Sequence, residues 1–330
     1  MAEFSAAVLA MMKQRAAVVK ERLASLGPRD WQPRWDISGK NAIVDPGREI
    51  VSRLLPRWDF AQKFIAGGKI NPKYVDGPIF FEALEHWWDG PDGKRRREWC
   101  PQTFGDTEAC PIHEAWEELR ASKSADDKKA ASEIRPSETF LFNALMGPGG
   151  QRAVAEGGMI DIRYLPAPGT IFLAIINIMT GGEEESFAYG DISDVREGFD
   201  IKLSRPAAQG DRWKVAVMPK ATPLFVEGQK PAFAKWWERL IDLPAMVEKE
   251  MKPYEDLYRA FHGSEPPGGT QRGPVTAASE STGGNEEGTA PDNDPFGDLG
   301  GIDMPPAEAA SSAPVRTSAP APAPRRPARR

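Results

Sequence analysis

The stretch "EHWWDGPDGKRRREWCPQTFGDTEACPIHEAW", residues 85–116, holds both cysteines and two of the three histidines of a 330-residue chain. The spacing is His86-x13-Cys100-x9-Cys110-x2-His113. Two thiols and two imidazoles suit the tetrahedral N/S coordination of Zn²⁺, and Cys-x-x-His brings two ligands to one ion from a single tight turn. The stretch therefore predicts one Zn²⁺ bound by all four side chains.

The predicted zinc is structural, because four protein ligands leave no coordination position for an activated water. The competing interpretation is a pair of core thiols with incidental histidines. We favour the metal because nothing in the sequence suggests secretion, and close Cys and His residues in an intracellular chain are more often ligands than a disulfide.

The N-terminal residues 1–27 interleave apolar side chains with Lys and Arg and end at Gly-Pro. This pattern predicts a helix, and it excludes a signal peptide or a membrane span. Its apolar stripe predicts docking on the chain's own body or on a neighbouring subunit, and it consists of Val8, Met11, Met12, Val18 and Leu23. The helix is therefore a possible self-association arm, and we expect a cytoplasmic protein with no membrane partner.

Short strand-like segments broken by Gly and Pro follow, such as "EIVSRLL" and the hairpin pattern "GFDIKLSRPAAQGDRWKVAVM". Few helices are indicated. We predict a mainly β protein with flanking helices. Its core, residues 28–263, is expected to be a small OB-fold barrel with an inserted zinc subdomain at about residues 85–116.

Residues 264–330 are rich in Pro, Ala, Gly and Ser and have almost no apolar run. Such a segment cannot bury enough apolar area to offset its backbone entropy, so we predict a disordered tail. Acidic and apolar residues alternate in one part of it, which suits docking on a partner, although a solvated acidic stretch is the alternative. The candidate partner-binding residues are Asp292, Asp294, Phe296, Asp298, Leu299 and Asp303.

Aromatic residues stand beside cations at several places, for example in Arg57-Trp58 and Trp213-Lys214. Binding of single-stranded nucleic acid needs cations along the phosphates and flat rings for the bases. The net charge is −6, so the chain is not a uniformly basic binder, but it carries basic islands such as "KRRR" at 94–97. The alternative is that most of these aromatic residues belong to the core.

The region "GPIFFEALEHWWDGPDGKRRREWCPQTFGDTEACPIHEAW" resembles the zinc region of the T-even phage single-stranded DNA-binding, or helix-destabilising, proteins. "GREIVSRLLP", "PSETFLFNALM", "IRYLPAPGTIFLAIINIM" and "GDISDVREGFDIKL" resemble that family's other strands, so the similarity covers about residues 35–250. The chain departs from the family pattern at His113, where the family has Cys, and in ending on a basic tip, "RRPARR". The family's short cooperativity arm is also absent.

The resemblance implies a protein that coats single-stranded DNA without sequence preference during replication, recombination and repair. It implies cooperative self-association along the strand and recruitment of replication and recombination proteins through the acidic tail, in the host cytoplasm if the chain is phage-encoded. Trp87, Trp88 and Trp99 flank the metal and either pack the zinc lobe or line the cleft. The full candidate set for DNA contacts is Arg53, Arg57, Trp87, Trp88, Trp99, Arg135, Phe140, Phe142, Arg163, Tyr164, Trp213 and Lys214.

Two other functions remain open from the sequence. A zinc-containing RNA-binding or scaffold protein would share the same features. A zinc hydrolase or nuclease would need an open metal position and a general base, and His113-Glu114 is its only hint. We predict that the chain is not an enzyme.

Overall fold

The structure is a computed structural model. It describes residues 5–25, 49–65, 69–90, 92–105, 108–146, 154–155, 159–160, 162–181, 188–204, 213–224 and 236–267. The predicted partner-binding residues 292–303 lie outside these ranges, as does nearly all of the predicted tail.

The described residues form eleven strands and six α-helices. The strands are β1 (Glu49–Leu54), β2 (Phe64–Ile65), β3 (Lys69–Ile70), β4 (Phe80–Asp89), β5 (Arg95–Trp99), β6 (Ser137–Met146), β7 (Val154–Ala155), β8 (Met159–Ile160), β9 (Ile162–Pro168), β10 (Phe199–Ser204) and β11 (Lys214–Ala221). The helices are α1 (Ala6–Ser25), α2 (Pro111–Ala121), α3 (Ala125–Glu133), α4 (Gly169–Thr180), α5 (Leu243–Glu250) and α6 (Tyr254–His262). Three short 3-10 turns are Phe60–Lys63, Pro101–Thr103 and Trp236–Arg239.

Strand β6 is the centre of a seven-stranded antiparallel sheet. Strand β9 pairs with β6 over Thr139–Leu145. On the opposite edge, β4 pairs with the first half of β6 and β1 with its end. The sheet therefore divides into two arms at β6, one of β4 and β5, the other of β1, β10 and β11.

One face of the sheet is covered by α4 and α1, and together they form the largest apolar core. Helix α4, "GTIFLAIINIMT", could be a buried strand by its apolar pattern alone. In the structure it is a helix that ends at Gly181, whose φ of 67° suits glycine in a left-handed cap. Phe172 of α4 stacks on Phe140 of β6 with ring centroids 3.7 Å apart.

The opposite face is covered by the segment that contains the 236–239 turn and α5. Leu243 and Val247 of α5 pack on Trp99, Leu141 and Tyr164 of the sheet. The sequence predicts a helix broken at Pro244. The structure instead starts α5 there, because proline is tolerated in the first turn, where its missing N–H costs no bond.

Helix α1 packs on the chain's own α4 through Val8, Met12 and Val19. Arg15 also forms ion pairs with Glu82 of β4 and Glu138 of β6. These contacts show that α1 packs on the chain's own body, which is one of the two docking modes that the sequence allows. Self-association through the helix stays a prediction.

The predicted mainly β architecture with flanking helices is confirmed, as are the strand at 49–54 and the hairpin of β10 and β11. Within the described ranges the pairings leave the sheet open and do not close it into a barrel. The described part of the chain contains no helix long and apolar enough to cross a membrane.

Candidate metal centre

His86 and Cys100 are brought together by the β4–β5 hairpin. His86 lies on β4 opposite Glu98 of β5, and Cys100 directly follows β5. The Cys100 N–H donates to the Leu84 carbonyl at 2.8 Å, which continues the ladder one residue past the strand. Both side chains are fully buried.

Cys110 and His113 come from the start of α2. Cys110 is the N-cap residue, with extended backbone (φ −136°, ψ 112°), and Pro111 begins the helix. The Cys-x-x-His spacing therefore sets a thiol at the cap and an imidazole in the first turn, side by side at one helix end. Both side chains are buried beside the first pair.

The ligand atoms lie at distances that suit one metal ion. One candidate atom each from His86, Cys100 and His113 forms a group in which all atoms lie within 4.8 Å of one another, so this buried group can hold a metal. Cys110 Sγ is 3.6 Å from His86 Nε2, and Cys100 Sγ is 3.8 Å from His113 Nδ1. A zinc tetrahedron with Zn–S of about 2.3 Å and Zn–N of about 2.0–2.1 Å has S···N edges of about 3.6 Å. Three of the four predicted ligands thus form a group able to hold a metal ion, and the fourth, Cys110, lies beside it in contact with His86 at a distance that suits zinc.

Each histidine presents one ring nitrogen to the centre and uses the other outside it. His86 Nδ1 lies 3.0 Å from the Ile134 carbonyl oxygen, to which its N–H donates, leaving Nε2 free toward Cys110. His113 has the reverse arrangement, because Nδ1 faces Cys100 while Nε2 lies 3.9 Å from the Glu117 carboxylate. Metal-ligating histidines in proteins are commonly oriented in this way.

The two thiols have opposite pKa shifts. A hydrogen bond from Cys100 lowers the pKa of Cys110 to about 4, with the neighbouring His86 acting in the same direction against burial. The hydrogen bond to Cys110 and burial raise the pKa of Cys100. Of the two thiols, Cys110 therefore loses its proton more readily, and a metal that binds both sulfurs displaces protons from them.

The candidate centre lies inside a small lobe that has its own apolar cluster. We use "metal lobe" for residues 86–89, 95–105 and 108–133 together with α6. Trp88 and Ile112 pack around the two cysteines, and α6 contributes Leu257, which is fully buried. Phe261 of α6 meets the Trp88 ring edge-to-face at 6.1 Å. The chain thus returns after α5 to complete the lobe.

Six of the twelve predicted DNA contacts are buried in the structure, which argues against their contact with DNA; for Trp88 and Trp99 it favours packing, the other alternative that the sequence left open. Five are rings in the apolar clusters: Trp88, Trp99, Phe140, Phe142 and Tyr164. A ring without exposed surface cannot stack on a base. The sixth, Arg53, is also without exposed surface and pairs with Asp200 at 3.0 Å.

The other six predicted contacts retain some exposed surface. Trp87 is half-buried, and its indole N–H donates to Glu85 at 3.0 Å while the Arg97 guanidinium lies 5.7 Å from its ring centroid. The Arg57 guanidinium lies 4.9 Å from the Trp58 ring centroid. The remaining four are the half-buried Arg135, Arg163 and Trp213 and the exposed Lys214.

A row of aromatic residues that the candidate set lacks lies on the sheet face beside Arg57. Phe81 contacts Trp58 and Phe104, with centroid distances of 6.1 and 6.0 Å. Phe104 is 42% exposed, and the other two are half-buried. We call Trp58, Phe81 and Phe104 the aromatic row. Trp58 stands in an Arg-Trp pair that the sequence shows, but Phe81 and Phe104 come from distant segments and give no local signal.

No protein-family model matches the chain, and no curated protein matches it. The class of this protein therefore rests on its structure. It is a mainly antiparallel β protein with flanking helices and a buried His86–Cys100–His113 group able to hold a metal ion.

Proposed function

We propose that this chain binds single-stranded DNA without sequence preference and coats it during replication, recombination and repair, with one structural Zn²⁺ in the metal lobe. The chain acts as a binding protein and not as an enzyme. The observation that carries the proposal is that, on the sheet face against which α5 packs, the aromatic rings on either side of the covered centre stay partly exposed and lie beside guanidinium groups.

That face has two aromatic ends. At one end lies the aromatic row, with the Arg57 guanidinium over its Trp58 ring. At the other end, Trp87 shares the face with Phe81 because both are odd-numbered residues of β4, and six residues of strand span about 20 Å. Ring faces of this kind stack on any base, so they favour binding without sequence readout.

Cations are concentrated near the Trp87 end. The β4–β5 turn is followed by Lys94, Arg95 and Arg96, with exposed or half-exposed side chains. Arg97 lies over both Trp87 and Trp99, at 5.7 and 4.7 Å from the ring centroids. Phosphate contacts from such a group supply most of the affinity for a nucleic acid and make it fall with salt.

The branched sheet supports the finer proposal of an OB-type barrel. One long strand, β6, pairs with two different strands along one edge and with β9 along the other. An OB fold is a partly open Greek-key barrel, and a central strand shared between two arms is compatible with it.

The fit of the ligand atoms supports Zn²⁺ bound by His86, Cys100, Cys110 and His113. When bound, the ion crosslinks the β4–β5 hairpin to α2 and performs no reaction. Elemental analysis should find one zinc per chain, and Cys110→Ser should lose metal and lower the melting temperature. Stoichiometric zinc in Cys110→Ser with an unchanged melting temperature would exclude Cys110 as a ligand.

The DNA proposal is tested by titrating labelled oligodeoxythymidine, duplex DNA and single-stranded RNA of equal length across a salt series. We expect tight, salt-dependent binding to the single-stranded DNA, weaker binding to duplex and quenching of tryptophan fluorescence. A salt slope near zero, or equal affinity for duplex, contradicts the proposal. Preference for the RNA selects the RNA-binding alternative.

A matched pair of variants locates the interface. Arg57 and Arg120 each lie over a tryptophan, at 4.9 Å from Trp58 and 5.1 Å from Trp116. Arg57→Ala and Phe104→Ala should each weaken binding, with base stacking worth about 1–3 kcal/mol. Arg120→Ala should not weaken it. Equal effects of Arg57→Ala and Arg120→Ala on binding would show that the DNA interface does not lie at the aromatic row.

A further inference from the structure

Helix α6 carries three rings on one stripe. Tyr254, Tyr258 and His262 are four residues apart, so they lie above one another on the helix. Centroid distances are 6.1 Å between Tyr254 and Tyr258 and 4.2 Å between Tyr258 and His262, with interplanar angles of 31° and 32°. The tyrosines are half-buried and His262 is exposed. We call these three residues the α6 stripe.

Acidic residues border the α6 stripe on the side of α2. The Tyr254 hydroxyl donates to the Glu114 carboxylate at 2.9 Å, which joins the two helices. Glu117 and Glu118 are exposed one turn further along α2. Nearby Arg259 is already paired with Asp256 at 3.0 Å. The carboxylates beside the stripe suit it to a basic ligand.

We propose that the α6 stripe and its acidic border bind the C-terminal residues 319–330 of the same chain, "APAPAPRRPARR". Alternating Ala-Pro favours a polyproline II conformation, which docks on aromatic surfaces at low entropic cost. Guanidinium groups pair with carboxylates and stack on tyrosine rings. The segment has four arginines and no acid, which complements the glutamates.

The dimensions allow docking within one chain. The stripe covers about eight residues of helix, about 12 Å, which matches roughly four residues of polyproline II at about 3.1 Å each. The last described residue is 267 and the basic run begins at Arg325, 58 residues later. A random-coil polypeptide of that length has an end-to-end distance of roughly 40–45 Å, so the number of residues is sufficient for the basic run to reach α6. The tethering raises its effective concentration at the stripe.

The proposal does not depend on the proposed DNA binding. Its consequence is that the tail forms a closed loop whose two ends both lie at α6. The basic tip then adds no phosphate contacts of its own while it stays docked.

The experiment uses the full chain in which the tip arginines are replaced by alanine, so that the stripe is free. Those arginines are Arg325, Arg326, Arg329 and Arg330. A fluorescein-labelled peptide of residues 319–330 is titrated and followed by anisotropy at low salt. We expect saturable binding that salt weakens, and several-fold weaker binding to the unmodified chain, whose own tip competes. Absence of binding at low salt overturns the proposal.

Substitutions in the tip-free chain then locate the site. Tyr258→Ala and Glu118→Gln should each weaken peptide binding about two- to fivefold, from lost ring stacking and lost charge pairing. Tyr258→Phe keeps the ring and should bind normally, and Glu248→Gln, an exposed change on α5, is the matched charge control. Circular dichroism confirms folding of each variant. Equal affinity for all four places the peptide elsewhere and overturns the assignment.

A final measurement distinguishes the chain's own tip from that of a neighbour. Sedimentation should give the same state of association for the unmodified chain and for the chain whose tip arginines are replaced by alanine. If the unmodified chain self-associates and the arginine replacement abolishes it, docking is between chains and the inference of a closed loop is wrong.

Discussion

Loss of Arg53 should destabilise the protein rather than release a ligand. Arg53 is fully buried between β1 and the 194–200 segment. Its guanidinium donates to Asp200 at 3.0 Å and to the Thr222 carbonyl at 2.7 Å. Arg53→Met leaves the Asp200 carboxylate, itself 2% exposed, without its cation. Breaking a buried pair from one side costs about 3–5 kcal/mol, a large part of a typical stability of about 5–15 kcal/mol.

The assay is urea unfolding followed by circular dichroism. Arg53→Met should lower the midpoint by the equivalent of about 3–5 kcal/mol with an unchanged slope. The double variant with Asp200→Leu should recover most of that loss, because no unpaired charge remains. Arg57→Met is the control: its pair with Asp59 at 3.1 Å is partly exposed and should contribute less than about 1 kcal/mol.

The refuting result is clear. If Arg53→Met changes the free energy of unfolding by less than about 1 kcal/mol while it weakens binding to single-stranded DNA, then Arg53 acts on the ligand as its sequence context predicts, and the structural role is wrong.

Two further predictions concern pH and the chain's end. Burial raises the pKa of Asp191 to about 6, against the hydrogen bonds that its carboxylate accepts from Ser193. Between about pH 4 and 6 the Asp191 carboxyl is deprotonated in the unfolded state and protonated in the native state. The free energy of unfolding therefore falls as pH rises through this range. Asp191→Asn should remove that fall, about 2–3 kcal/mol, in urea midpoints measured from pH 4 to 7, and an unchanged slope with pH would contradict it. Truncation after Gly263 should leave zinc content and melting temperature unchanged, whereas truncation after Met251 removes Leu257 from the metal lobe and should lower both; equal behaviour of the two truncations would show that α6 is dispensable.

The sequence alone predicts the elements whose signal is local. The grouping of His86, Cys100 and His113 follows from their positions in one window, and the structure brings those three within ligand distance. The β10–β11 hairpin and the helix at residues 6–25 also follow from short-range periodicity. In each case the pattern lies within about thirty residues, so no distant contact is needed to interpret it.

Tertiary structure alone decides which side chains remain available to a ligand. Phe140 and Phe142 look like a binding strand, but α4 packs on them from 30 residues further along the chain, and Tyr164 is covered by α5 from 80 residues away. The aromatic row depends on the same kind of contact, because Phe104 reaches Phe81 only through the fold. Both faces of β6 are covered by distant helices, and strand alternation carries no information about what will cover each face.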